Sequence, residues 1–326
     1  MKKHYIEEIP SIIRQYIPQE ENVANVLMDI LSIGKESVYR RLRGEISFTF
    51  DEIACISLHL GFSIDNIIGM KNARHALVGL DLLNNPNHID NYLKKIESQA
   101  RIIHSMKKAK KCKVSFALNN IPHILSLKYE NLSNFNLYKW HYQICNMHPN
   151  FAFSDFKVPK EINIARKKLC KELQSTPYFD IIVDSTVLSE IISDLNYFYK
   201  RNLISTEELE AIKKDLLHLV SSLEAYATAG NNGKGAEILL YLSSVNIDTT
   251  YCHFEYDNKA YSYIQLFSIS SMDTTDQRLC QQYKYWINSL KRYSLNITQS
   301  AETQRFDFFI KQKEHIMLAG EKKDTD

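Results

Sequence analysis

The stretch Leu27-Met28-Asp29-Ile30-Leu31-Ser32-Ile33-Gly34-Lys35-Glu36-Ser37-Val38-Tyr39-Arg40-Arg41-Leu42-Arg43-Gly44 reads as two short helices around a tight turn. From Asn22 to Leu31, apolar residues recur at Val23, Val26, Leu27, Ile30 and Leu31, the i, i+3, i+4, i+7, i+8 stripe of one helix face. Ser32-Ile33-Gly34 interrupts that stripe. Glu36 to Arg43 makes a second helix, which Gly44 closes at the position where helices favour a left-handed residue. Phe50 to Leu60 forms a third, capped by Thr49 or Asp51, with Ile53, Ala54, Ile56, Ser57 and Leu60 inward and Gly61 at its end. Ser63 then caps a last turn carrying Ile64, Ile67 and Ile68. Upstream, Tyr5 to Ile17 is a further helix that starts or kinks at Pro10.

This order of elements resembles the helix-turn-helix domain of the lambda repressor/Cro (xenobiotic response element) family over about residues 4–69, a fifth of the chain. Four positions depart from the family pattern. Ser32 replaces the turn glycine, Gly34 the Ser/Thr helix cap, Met28 the small alanine at the helix crossing, and Arg41 a Trp or Leu, so that Leu42 takes the core role. The resemblance implies a five-helix DNA-binding domain whose second helix enters the major groove. Lys35, Glu36 and Arg40 would then face base edges, where Arg pairs with guanine and Glu accepts from cytosine. Arg43, Ser37 and Tyr39 would hold phosphates or pack.

Charge sharpens that expectation. Residues 1–70 carry net −3, residues 71–120 net +7 and residues 121–326 net −2, giving +2 for the chain. The whole is no generic polyanion binder, so any contact with nucleic acid depends on local placement of arginine. The lysine run from Lys107 to Lys113 either touches flanking phosphates or is a solvated helix end; the second is favoured.

At 326 residues the chain exceeds what one core usually accommodates. No glycine occurs between Leu80 and Ala229, a 150-residue stretch that excludes a glycine-rich phosphate cradle there and reads as mostly helix. Helical patterns run from Asp81 to Lys111, Pro122 to Cys145, Glu161 to Gln174, Phe179 to Tyr199 and Thr206 to Ala229, with a short strand at Lys113 to Leu118. The last two resemble a helical hairpin. Past Gly235 the period becomes 2: Glu237 to Asp248, Tyr251 to Tyr256 and Ala260 to Ile269 read as strands, with a hairpin turn at Asp257-Asn258. Helices follow at Asp276 to Tyr293 and Glu302 to Leu318, with a short strand between them at Leu295 to Gln299. The expected fold is therefore mainly α with a smaller C-terminal α+β part. The domains would be a helix-turn-helix unit (1–70), a basic helical connector (71–120) and an α+β regulatory and dimerisation domain (121–326).

Enzymatic signatures are missing. Gly230 to Gly235 fails as a phosphate loop, since Thr228 stands where its first glycine belongs and Gly235 where a Mg²⁺-binding Ser/Thr belongs. His141, Cys145 and His148 have helical spacing, but with no second convergent pair in sequence they read as packing rather than metal ligands. The six scattered cysteines form no CxxC pair, no run approaches the ~20 apolar residues of a membrane span, and the Met1 end has no apolar signal core, which fits a reducing cytoplasm. The expectation is a non-enzymatic, cofactor-free transcriptional regulator. Its partners would be double-stranded DNA, a second copy of itself and a small-molecule or peptide effector lodged between the C-terminal strands and the helical hairpin, with no membrane. The other classes are an adaptor acting through protein contacts and, less favoured, an enzyme fused to a DNA-binding domain.

Overall fold

The computed structural model describes residues 4–17, 21–60, 76, 78–80, 87–106, 109–145, 147–266 and 268–321. The chain forms two compact units, Met1–Leu77 and Val78–Asp326.

The first unit contains α1 (His4–Tyr16), α2 (Val23–Leu31), α3 (Lys35–Leu42) and α4 (Phe50–Leu60). Asn22 starts α2 by accepting hydrogen bonds from the Ala24 and Asn25 amides at 2.9 and 3.4 Å, satisfying amides that the first turn leaves unpaired. Ile13, Ile17, Ala24, Leu27, Val38 and Ile56 make the buried core, ringed by Met28, Leu31, Tyr39, Leu42 and Leu60. Leu27, Val38 and Ile56 are fully buried, each contributing roughly 1.5–3 kcal/mol. The last turn expected at Ser63, Ile64, Ile67 and Ile68 lies outside the described residues.

The second unit is built on an eight-stranded sheet. Its strands are β1 (Gly79–Leu80), β2 (Cys112–Leu118), β3 (Tyr178–Val183), β4 (Glu237–Ser243), β5 (Tyr251–Tyr256), β6 (Lys259–Leu266), β7 (Ser270–Thr274) and β8 (Ser294–Asn296), in the order β1-β7-β6-β5-β2-β3-β4-β8. β2, β3 and β4 are parallel; every other neighbouring pair is antiparallel. Parallel strands need long crossovers, and these supply the helices. Between β2 and β3 lie α6 (His123–Ser126), α7 (Glu130–Ile144) and α8 (Lys160–Gln174); between β3 and β4 lie α9 (Ser189–Lys200) and α10 (Thr206–Ala229). Before β2 comes α5 (His88–Met106), and α11 (Gln277–Arg292) and α12 (Glu302–Met317) flank β8.

Register explains the layering. The row Cys252, Phe116, Ile181 and Leu240 joins the large core with residues from α5 through α10 and α12. The alternate row Tyr251, Ala117, Ile182 and Tyr241 faces Ile287 and Leu290 of α11. On that second face the buried Asp180 carboxylate accepts from Lys113 at 2.6 Å and from Lys291 of α11 at 2.9 Å, which ties α11 to the sheet. Gly230 ends α10 at φ 72°, a left-handed conformation that costs an L side chain ~1–2 kcal/mol, and turns the chain into β4.

The expected fold class is corrected by this sheet: the second unit is α/β, not a mainly helical body with a small α+β appendage. Three misreadings produced the error. Phe179 to Val183 is β3 rather than the start of a helix: the strand is buried on both faces, so Phe179, Ile181, Ile182 and Val183 show no alternation, and its one charge, Asp180, is buried with them. The stretch 71–120 includes α5 and the central strand β2, both in the core of this unit. The edge strand β1 and its neighbour β7 carry no readable period, β1 being two residues long and β7 rich in serine. The Asp257-Asn258 hairpin is present, with Asp257 at φ 47°.

Phe116→Ala tests the central place of β2. Its ring stacks on Phe179 at 6.4 Å and meets Phe254 edge-on at 6.1 Å. The truncation should cost roughly 3–5 kcal/mol in urea unfolding, the cost of a core Phe. A loss well under about 1 kcal/mol, as a surface position gives, would contradict the topology.

Candidate functional site

In the first unit, α2, its turn and α3 carry the surface that the helix-turn-helix resemblance pointed to. Ser32, in place of a glycine, adopts φ 51° and ψ 39° at the end of α2. Gly34 precedes α3 without a side-chain cap, and Gly44 at φ 77° closes it, its amide donating to the Arg41 carbonyl at 3.0 Å. Because Val38 and Leu42 turn inward, the helical repeat leaves Glu36, Arg40 and Arg43 in one outward row. Lys35 is also exposed, whereas Ser37 and Tyr39 are half-buried and Tyr39 packs on the core. All six anticipated residues therefore lie on α3 or its C-cap, four of them open to solvent.

Arg41 does something that the sequence did not reveal. Its guanidinium donates to both Glu52 carboxylate oxygens, at 2.7 and 3.0 Å, and to the Ser37 carbonyl at 3.2 Å. Glu52 also closes a capping box at the start of α4: it accepts from the Thr49 amide at 2.9 Å, and Thr49 Oγ1 accepts from the Glu52 amide at 3.2 Å. The family's large apolar residue is thus replaced by a half-buried fork that links α3 to α4. Burial alone would raise the Glu52 pKa; the hydrogen bonds from Arg41 and Thr49 outweigh it and hold the carboxyl below its ordinary value.

The outward arginines are also paired. Arg43 donates to Glu45 at 2.6 Å and to Glu36 at 3.2 Å, and Arg40 lies 3.5 Å from Glu45. Hydrogen bonding by Arg43 lowers the Glu45 carboxyl and, reciprocally, the Arg43 guanidinium is raised by Glu45 and Glu36. Exposed pairs of this kind are weak, roughly 0–1 kcal/mol in general, and phosphate can displace them.

Two further constellations occupy the second unit. An apolar pocket of about 100 Å³ opens between the β3–β4 face (Phe179, Ile181, Ile238) and Leu219, Leu223 and Tyr226 of α10, with Cys170 and Lys128 at its wall. It meets the helical-hairpin side of the expected effector site, but β5 and β6 do not line it. Burial pushes the Cys170 thiol up to about 11, which favours its protonated form. Deeper, Arg166 of α8 donates to the Tyr92 hydroxyl at 3.3 Å, to Asn134 at 2.6 Å and to the Ser133 carbonyl at 3.1 Å. Tyr92 in turn pairs with His123 Nε2. Burial raises Tyr92 to about 12 against the pull of Arg166, and burial keeps His123 neutral. This chain of neutral groups around one guanidinium latches α5, α6, α7 and α8 together. Its members stand 31 to 74 positions apart, so no local spacing signals them.

Comparison with protein-family models, with curated proteins and with solved structures returned no match. Among the described residues no helix is long and apolar enough to cross a membrane. The anticipated His141, Cys145 and His148 set divides: His148 is exposed and accepts from the Asn150 amide at 3.2 Å, while His88 joins the other two from α5.

Two stability predictions follow from α2 to α4. The lowered Glu52 carboxyl contributes stability above its ordinary value of 4.5 and loses it as pH falls through the folded-state value. Glu52→Gln keeps the capping bonds but loses the charge that Arg41 pairs with, so it should lower the unfolding free energy of the first unit at about pH 7 by up to about 1 kcal/mol, and the gap should narrow at about pH 3. An unchanged gap would remove the ionic role of Glu52. Ser32→Gly relieves a left-handed L residue and should stabilise this unit by roughly 0.5–1 kcal/mol after the entropy cost of glycine; a destabilised variant would show that Ser32 is unstrained.

Proposed function

We propose that this chain is a sequence-specific DNA-binding transcriptional regulator. The observation that carries the reading is the outward row Glu36, Arg40 and Arg43 on the second helix of a helix–turn–helix pair whose inward residues Leu27, Val38 and Leu42 pack in one core. Arg40 and Glu36, with Lys35, would meet base edges, while Arg43 and Ser37 would hold phosphates. Tyr39 contributes packing. One such surface is small, so useful affinity requires two copies on paired half-sites, and the second unit would supply the homodimer contact. The apolar pocket would admit a benzene-sized or short branched aliphatic group of a small effector. Its six free cysteines accord with a cytoplasmic site of action. No enzymatic step is part of the reading.

The acidic partners of Arg40 and Arg43 shape this function. Glu36 and Glu45 must give up an arginine before phosphate can take it, which weakens indiscriminate binding more than binding to a site that also engages Glu36 through cytosine. The same pairs favour one second reading, an adaptor in which α3 contacts a protein carrying mixed charge.

Selection of bound fragments from randomised duplex DNA, using the purified full-length protein, separates the two. A regulator should enrich a two-fold motif and bind it with a steep salt dependence. Arg40→Ala should weaken the selected site about 5- to 150-fold and relax one base position, whereas Arg43→Ala should weaken all sequences alike. Glu45→Gln should tighten non-specific binding and steepen its salt slope by about one ion. No enrichment, together with wild-type binding by both arginine variants, would reject the DNA reading.

A further inference from the structure

His88 is the first residue of α5, His141 lies in the last turn of α7, and Cys145 follows α7 one turn later. His88 Nε2 is 2.7 Å from His141 Nδ1, and Cys145 Sγ is 3.3 Å from His88 Nε2 and 3.6 Å from His141 Nδ1. We propose that these three side chains form a binding site for a zinc-class divalent cation, with the fourth coordination position open to water.

Geometry supports the assignment. Tetrahedral zinc with bonds of about 2.0–2.1 Å to nitrogen and 2.3 Å to sulfur separates N and S donors by about 3.6 Å and N donors by about 3.3 Å. Both sulfur distances already approach that value; the two imidazoles need only part by about 0.6 Å. The i, i+4 spacing places His141 and Cys145 on one helix face, and the sheet-imposed packing of α5 against the other helices brings His88 to meet them. Aromatic rings hold the imidazoles in place: Trp140 meets His88 edge-on at 5.6 Å, and Phe156 lies 5.0 Å from His141. All three ligands are half-buried, so a cation can reach them. Two imidazoles and a thiolate suit zinc, copper or cobalt, and do not suit magnesium or calcium, which take oxygen ligands.

Protons balance simply. The Cys145 thiol releases one proton to solvent on coordination, since the thiolate is the ligand. The imidazole that donates in the His88–His141 hydrogen bond moves its proton to its other ring nitrogen, with no net gain or loss.

The test is titration of the chelator-treated full-length protein with cobalt(II), followed by zinc displacement. The expected result is a near-ultraviolet thiolate-to-cobalt charge-transfer band and tetrahedral visible bands that saturate at one equivalent and vanish when zinc is added. Cys145→Ser should abolish the charge-transfer band, and His88→Ala and His141→Ala should weaken binding by more than about tenfold, the loss that even indirect supporting groups produce. His148→Ala should match the wild type. The wild-type titration does not depend on any variant folding: no charge-transfer band at stoichiometric cobalt overturns the site. So does a band that survives Cys145→Ser, or one that His148→Ala removes.

Discussion

Burial of the parallel strands β2, β3 and β4 on both faces governs the second unit. Ala117, Ile182 and Tyr241 point one way and Phe116, Ile181 and Leu240 the other, so neither face tolerates water. Each apolar side chain buried there contributes roughly 1.5–3 kcal/mol, far more than the exposed ion pairs of this chain. Parallel pairing forces long crossovers, and two-sided burial forces those crossovers onto the sheet. The crossover helices α6 to α10 share the large core for this reason, and α5 and α12 join them there. Their convergence brings His88 to His141 and Cys145, and Tyr92 to His123 and Arg166, across separations that no local pattern spans.

The buried charges of this interior are met by partners, whereas some neutral polar atoms, among them Trp140 Nε1 and Thr176 Oγ1, are buried without a hydrogen bond. Asp180 is buried between Lys113 and Lys291, and the buried Lys139 ammonium reaches Asp194 at 2.5 Å and Glu190 at 3.3 Å. Leaving any of these charges alone would cost several kcal/mol, which makes each pair a constraint on how α9 or α11 can be placed. Arg166 meets the same demand with neutral oxygens. Its five N–H groups find hydroxyl, amide and carbonyl acceptors, while burial raises Tyr92 against the pull of Arg166, and burial with Arg166 lowers His123.

The first unit obeys a different balance. Its core is small, so specific local devices count: the Asn22 cap, the left-handed turn at Ser32, and the Arg41–Glu52 fork with the Thr49 capping box. The fork frees α3 from needing a large apolar residue at position 41, while Val38 and Leu42 still fix which side of the helix faces out. Arginines on that outward side are half-neutralised by Glu36 and Glu45.

Local chemistry made the first unit legible. The stripe from Val23 to Leu31, the break at Ser32-Ile33-Gly34 and the stop at Gly44 depend on residues within one or two turns, and α2 and α3 begin and end where those signals lie. The same holds for α8, α10, α11 and the β5–β6 hairpin, whose periods are intact along the sequence. β3 was illegible, because Phe179-Asp180-Ile181-Ile182-Val183 carries apolar residues on both faces, with its single charge also buried, and so has no period to distinguish strand from helix. The fold class turned on that strand. The pairing of Arg41 with Glu52 and of His88 with His141 and Cys145 was equally hidden: composition names the charges and donors, but their partners are chosen by the packing of separate helices. Sequence by itself determined the elements whose hydrophobic period is local; the tertiary structure alone decided which face of each strand is covered and which polar side chains meet, because both depend on burial between segments distant along the chain.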